Sequence, residues 1–348
     1  MAHEIKRTDS LLLNSGIPAW HGLGTVLDQA LTPSEAVRMV LPWEPAPVPV
    51  YQKLTLPSGI TTFREIPGYK ANERDDTHDI LGIVSDSYQI VPNKALAEFA
   101  ETLVGADAAV QVETAGSLMG GKRIFLLCKL PTSLRVTPDD ETHFYTLFAN
   151  AHDGTGAVFA LHTAIRVVCN NTFSAALGAN FSSVEDAASS GRAFRFRHTG
   201  NVLTRVEEAR RILGVATTQS ERFSALAHAM RDKPLTDSTL ALYWRAAYVS
   251  IYGERPTDSK LVEHAELWDE RLRERATEWT ALLNSPTNTL PGMSGTLWAA
   301  FNALTEWHDH QRSVTRVTGD RRTHSKLFGE AARDKRAALT CALSLLSA

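Results

Sequence analysis

The stretch LFANAHDGTGAVFALHTAIRVVCNNTFSAAL, Leu147–Leu177, decides how the first half of this chain folds. Tyr145 to Ala149 and Val158 to Leu161 are aromatic and aliphatic. The Asp153-Gly154-Thr155-Gly156 run between them tolerates positive φ, so the stretch reads as a β-hairpin. Thr163–Asn171 continues it either as a third strand or as the start of a helix, and periodicity over so few residues leaves both open. The same stretch gathers side chains that an apolar core does not select: His152, Asp153, Arg166, Cys169, Asn170 and Asn171. An arginine flanked by Ile165 and Val167 needs a carboxylate, phosphate or carbonyl partner to offset lost hydration. Asp153 is one candidate for that partner.

Working outward toward the N-terminus, Val110–Ala115 and Arg123–Leu130 flank Gly120-Gly121 and read as another hairpin. Asn93–Leu103 is an amphipathic helix with Leu96, Phe99, Ala100 and Leu103 on one face. Tyr69–Glu73 and Ile80–Val84 pair around Asp75-Asp76-Thr77-His78-Asp79, an acidic turn whose spacing matches no calcium loop. Val48–Leu56 and Ile60–Arg64 pair through Pro57-Ser58-Gly59, after prolines 42, 45, 47 and 49 have excluded helix. Thr32-Pro33-Ser34-Glu35 is a capping-box helix start, with the helix ending near Val40. Earlier still, Trp20-His21 precedes two glycines around Leu23, the pattern of a terminal clamp docked by an indole.

Toward the C-terminus, residues 178–192 have the small, polar composition of a flexible connection. Phe194-Arg195-Phe196-Arg197-His198 alternates strictly, so as a strand it sets Arg195 and Arg197 on one face. From Val202 onward apolar residues recur at three and four positions, giving helices over 202–214, 219–231, 237–252, 258–284, 295–310 and 324–347. Trp244, Trp268, Trp279, Trp298 and Trp307 at helical spacing read as core anchors. His308-Asp309-His310 is no metal site, because residues two apart on a helix point to different faces. The fold class is therefore α+β: a mostly antiparallel sheet with few helices over 1–177, a mobile loop and basic strand over 178–200, and a helical region over 201–348.

Composition bounds the function. The chain has 348 residues, 43% hydrophobic, enough for a substantial core. No apolar run is long enough to span a bilayer, and MAHEIKRTDS lacks the order of a secretion signal. Three scattered cysteines, Cys128, Cys169 and Cys341, argue against a disulfide framework and fit a reducing, cytoplasmic setting. No Gly-x-Gly-x-x-Gly or P-loop sequence and no zinc spacing occurs, so no metal-ligand set is assigned. Net charge is only −3, but Arg312–Arg336 holds eight Lys/Arg against three Asp/Glu, leaving 28 against 36 elsewhere. A basic segment on an acidic body marks either an anionic partner or a solvated helix face.

Trp20-His21-Gly22-Leu23-Gly24, His152-Asp153-Gly154, Arg166 to Thr172, Arg197-His198-Thr199 and Phe328-Gly329 with Lys335, in this order, resemble the phage/plasmid-like protein family, built on a domain of unknown function. The resemblance covers essentially the whole chain. It implies a cytoplasmic protein of a phage, prophage or plasmid, where genes serve replication, recombination or host takeover. An antiparallel sheet followed by helix and basic residues is also similar, at the level of fold alone, to ring-forming single-strand annealing proteins.

Three readings follow. The first is nonenzymatic binding of single-stranded DNA, extending to strand annealing by a homo-oligomer, in which Arg166, Arg195, Arg197, Arg316, Arg321, Arg322 and Lys326 neutralise phosphates. The second is a phosphoesterase or nuclease, with magnesium as its cofactor. There His152 is the general acid/base, Asp153 orients it or holds the metal, Arg166 stabilises developing charge, and Cys169 or Asn171 positions substrate. The third makes the same constellation a buried polar network in an interaction scaffold.

Overall fold

The computed structural model describes residues 12–14, 25–27, 31–104, 111–166, 171–172, 193–196, 220–253, 265–312, 325 and 330–347. Two short strands, β1 (Leu12–Asn14) and β2 (Thr25–Leu27), pair in parallel. Helix α1 (Pro33–Val40) begins where the capping box places it: the Thr32 side chain accepts from Glu35 N–H, and Glu35 accepts from Thr32 N–H at 2.9 Å.

Prolines at 45, 47 and 49 then enter β3 (Pro45–Thr55), which pairs along its length with β4 (Thr61–Arg74). The two expected pairs are one long hairpin plus a third strand, β5 (Ile80–Ser85), on the proximal part of β4. A bulge separates Pro49↔Lys70 from Tyr51↔Glu65, and Gly68 within it takes φ 80°. Beyond that bulge the hairpin continues as two strands alone among the described residues.

Helix α2 (Asn93–Val104) follows, then β6 (Gln111–Leu118), β7 (Arg123–Thr137), β8 (Asp140–Ala151) and β9 (Val158–Arg166) as an antiparallel meander. Thr163–Arg166 belongs to β9 itself, and Asn171–Thr172 forms the short β10. Ala193–Phe196 is β11 and also pairs with β9, giving the eight-stranded order β10-β9-β8-β7-β6-β1-β2 with β11 beside β10 on the β9 edge.

Alternation along the strands divides the apolar residues between two faces. Ile124, Leu126, Cys128, Phe148 and Val158 pack with α1, α2, Trp43 and Leu81. Phe125, Leu127, Tyr145, Leu147, Ala149 and Ile165 cluster on the other face. At the far end of the sheet Leu134, Val136, Phe144 and Ala164 join the helical half in a single core.

That half comprises α3 (220–232), α4 (Asp237–Tyr252), α5 (Ala265–Leu283), α6 (Leu297–Glu306) and α7 (Glu330–Leu346). Thr236 and Thr296 cap α4 and α6. Trp244, Trp279, Trp298 and Trp307 are buried in the shared core, as their spacing requires. Trp298 reaches across it, its Nε1 donating to Asp140 Oδ2 at 2.7 Å. The helix expected over 295–310 is not uniform: it widens into a π turn at Trp307–Gln311, which lets Trp307, His308 and Asp309 all turn inward. No helix among the described residues is long and apolar enough to cross a membrane.

Candidate functional site

His152 stands where β8 ends, and the meander seals it completely. Its backbone N–H donates to Lys122 C=O at 2.9 Å and its C=O accepts from Asn72 Nδ2 at 2.7 Å. The imidazole stacks edge-on to Trp43, and its Nε2 lies 2.9 Å from Asn93 Oδ1. Asn93 Nδ2 donates to Trp43 C=O at 2.6 Å, which fixes the amide and makes Oδ1 the acceptor. The proton therefore sits on His152 Nε2. Glu44 closes the network by accepting from the N–H groups of Asn93 and Lys94, the first turn of α2, where a carboxylate also meets the positive helix end.

Asp153 turns away from this hub. Its carboxylate takes Arg123 Nη1 at 2.5 Å and Thr155 N–H at 2.9 Å. Burial pushes the Asp153 carboxyl up, but Arg123 and the Thr155 N–H together hold it below the ordinary carboxylate value. The turn presses against β5: a Cβ on Gly82 would sit 2.6 Å from Asp153 Cα, and one on Gly154, at φ 78°, 2.8 Å from a Val84 methyl. Nearby, Arg74 stacks 4.3 Å over the Trp43 ring and forks onto Asp76 at 2.9 and 2.8 Å. Asp75 accepts from Glu44 N–H and Asp79 from Thr77, so the acidic turn is engaged internally.

Arg166 is not part of this cluster. The ladder sets Thr142 opposite Arg166 and Ala149 opposite Phe159. His152 thus lies ten residues along from the Arg166 level, roughly 30 Å at strand rise. Asn171 is directly opposite Arg166 in the β9/β10 pair, and Arg195 is opposite Phe159 in β11/β9. The backbones of these three residues therefore share one sheet edge. The side chains of Arg166, Asn171 and Arg195, and all of Cys169, Asn170, Arg197, Arg316, Arg321, Arg322, Lys326, Trp20 and His21, lie outside the described residues.

A second polar cluster surrounds the π turn, joining His308 and Asp309 to Arg312, Glu330, Arg333, Asp334 and Lys335 of the segment read above as basic. Lys335 Nζ meets Asp309 Oδ1 at 2.7 Å in the interior. Arg312 bridges Asp334 at 2.8 Å and Glu330 at 2.8 Å, and Arg333 adds a contact to Asp334 at 3.5 Å. Burial pulls the Lys335 ammonium down against the opposing pull of Asp309, and burial raises the Asp334 carboxyl although Arg312 opposes it. His308 is buried among them, its Nδ1 3.7 Å from Asp334 Oδ2, too far for a hydrogen bond. Desolvation, then the charges of Arg312, Lys335 and Arg275, keep its imidazole neutral.

Of the eight cations in Arg312–Arg336, Arg312 and Lys335 are thus counter-charges to the buried carboxylates of Asp334 and Asp309, a role that sequence reading missed for the two aspartates as well. The available signal was Lys335 one residue after Asp334 within an apolar helical pattern. His308 is buried and His310 exposed, so the two imidazoles do face apart. No group of three or more His, Cys, Asp or Glu among the described residues is arranged to hold a metal ion.

A family model described as Domain of unknown function (DUF932) matches residues 80–337. No curated protein and no solved structure matches the chain.

Proposed function

The chain belongs to the DUF932 family, whose description carries no activity, and from that premise we propose a noncatalytic protein that binds single-stranded DNA, with strand annealing in a phage or plasmid setting as its output. The observation that carries this reading is the convergence of Arg312 with Glu330 and Asp334, at 2.8 Å each. Arg312 and Glu330 flank the stretch 313–329, whose sequence carries four cations, Arg316, Arg321, Arg322 and Lys326, against a single acid, Asp320. Such a concentration of charge attracts a phosphate backbone. Arg166 and Arg195 add two more cationic positions along the β9 edge.

The hub at His152 supports a structural role for the remaining polar constellation. A general acid or base must come within about 3 Å of the proton it moves. His152 has no exposed surface and already holds Asn93.

The test is fluorescence anisotropy on labelled single-stranded and duplex DNA across a salt series, with magnesium and with chelator, recovering the DNA afterwards. Single strands bind more tightly and return intact. Replacing Arg316, Arg321, Arg322 and Lys326 by Ala lowers the log–log salt slope by up to ~3, since each phosphate contact on a single strand contributes ~0.7. Magnesium-dependent cutting abolished by His152→Ala makes the protein a nuclease and defeats the reading, as does an unchanged slope.

A further inference from the structure

The distal part of the β3/β4 hairpin, residues 50–66, is an arm with no third strand and no core beneath it among the described residues. Tyr51, Leu56, Ile60 and Phe63 are all exposed on it, Phe63 to 66% and Ile60 to 62%. Cross-strand partners share a face, so Lys53↔Phe63 and Tyr51↔Glu65 put Tyr51, Lys53, Phe63 and Glu65 together on one side. The chain turns tightly at the tip, where Gly59 N–H donates to Leu56 C=O and Gly59 takes φ 81°. A two-stranded hairpin is marginal in water on its own, and apolar residues on both of its faces need a partner.

The free edge of β3 says which partner. Leu56 N–H donates to Ile60 C=O, so even-numbered residues of this regular strand point their backbone groups at β4 and odd-numbered ones point away. The outward set is Pro45, Pro47 and Pro49, followed by Tyr51, Lys53 and Thr55. Proline has no N–H to offer a neighbouring strand, and edge prolines prevent association. The blockade covers the base of the hairpin and stops where the arm begins. Tyr51, Lys53 and Thr55 keep outward N–H and C=O groups without a partner strand among the described residues.

We infer that this open edge pairs with the same edge of a second copy of the chain, antiparallel, about a two-fold axis at Gln52. A two-fold at Lys53 would set two ammonium groups against each other, and one at Leu54 would set Tyr51 against Pro57 in the turn. The axis at Gln52 pairs Tyr51 with Lys53 of the second copy in both directions, exchanging both backbone hydrogen bonds and bringing an ammonium beside a phenol ring. It also pairs Thr55 with Pro49, where Thr55 N–H donates to the proline carbonyl and Thr55 C=O, lacking a proline N–H, is left to water at the end of the ladder. Val50 meets Leu54, and Gln52 meets Gln52. Nucleic acid is the weaker occupant, because residues 50–66 carry only Lys53 and Arg64 against Glu65.

The experiment is sedimentation of the full chain over a concentration range, independent of DNA. Wild type sediments as a dimer or a higher even assembly. Lys53→Pro extends the existing proline pattern, spares every β3/β4 bond, and halves the mass with the circular dichroism spectrum retained. Gln52→Cys cross-links through a disulfide, since a non-hydrogen-bonded pair brings Cα atoms to about 4.5 Å. Leu54→Cys, four residues out of register with its own copy, stays uncross-linked. A monomeric wild type overturns the inference, and so does an assembly that survives Lys53→Pro or cross-links at Leu54→Cys but not at Gln52→Cys. Arm variants that weaken DNA binding without changing the mass overturn it in favour of a nucleic-acid arm.

Discussion

Lys335 Nζ lies 2.7 Å from Asp309 Oδ1, with the two side chains 1% and 0% exposed, joining the π turn to the helix that follows the basic segment. A buried pair of this kind adds little net stability over an apolar pair of the same shape, yet removing one member strands the other charge. Asp309→Asn and Lys335→Met are each expected to cost ~3–5 kcal/mol in urea unfolding. The double variant Asp309→Leu/Lys335→Met is expected to recover most of that loss. Additive losses in the double variant would show that the two side chains do not act as a pair.

His162, on β9, gives a pH dependence with a defined sign. It is almost wholly buried beside Thr146, its Nδ1 3.1 Å from the hydroxyl, and burial lowers its pKa to about 4 from the ordinary 6.5. Between these values the unfolded chain binds a proton that the folded chain refuses, so stability falls as pH drops through that window and levels off below it. The loss is on the order of 3 kcal/mol. His162→Asn keeps a polar atom near Thr146 but does not titrate. The difference between wild-type and variant stabilities is therefore expected to slope between pH 6.5 and 4 and to be flat on either side. A difference that is flat throughout would place a proton on His162 in the fold.

The β-hairpins were legible because turn chemistry and alternation are local. Gly120-Gly121 and Asp153-Gly154 mark loops whose strands pair as neighbours, and Thr32 with Glu35 marks a helix start to the residue. The candidate site was less so, because its partners are set by register. Arg166 and Asp153 are thirteen positions apart in sequence, but one pairs with Thr142 while the other sits past the opposite end of the same strand. Asp153 finds Arg123 on β7, and His152 finds Asn93 at the start of α2; no spacing rule connects either pair. The basic segment misled for a similar reason. A charge run counts Lys335 and Arg312 as surface, whereas an inward-facing aspartate from the π turn and another from α7 neutralise them.

Gly82 is where β5 admits the His152-Asp153 turn. A methyl group there would stand 2.6 Å from Asp153 Cα and 2.8 Å from its carbonyl oxygen, and backbone at that distance has no rotamer in which to escape. Gly82→Ala is expected to cost ~1–3 kcal/mol by overpacking. Gly59→Ala, with nothing within 4 Å of its added Cβ but a φ of 81°, separates the effect of backbone strain from that of contact. Its loss is expected to be ~1 kcal/mol. Hydrogen exchange should show the Gly82→Ala loss at β5 and the Asp153 turn, and the Gly59→Ala loss only at the arm tip. Exchange spread evenly in both would remove the turn from its assigned place as a packing contact.

Asn93 decides whether the hub is structural. Its amide donates to Trp43 C=O at 2.6 Å and accepts from His152 Nε2 at 2.9 Å, so Asn93→Ala leaves a carbonyl and a ring N–H to lose these bonds in the interior. Each such loss costs ~1–3 kcal/mol, and the variant is expected to fall ~2–4 kcal/mol in urea unfolding. Glu44→Gln removes the charge at the α2 N-terminus but keeps an acceptor, with an expected loss of ~0.5–1 kcal/mol. His152→Gln offers a side-chain N–H for Asn93 Oδ1 and is expected to retain more stability than His152→Ala. All four are expected to bind single-stranded DNA as wild type does, measured where each is folded, because the hub's histidine is sealed and no phosphate reaches it. A variant that keeps its unfolding midpoint and loses DNA affinity would move the hub from scaffold to binding surface.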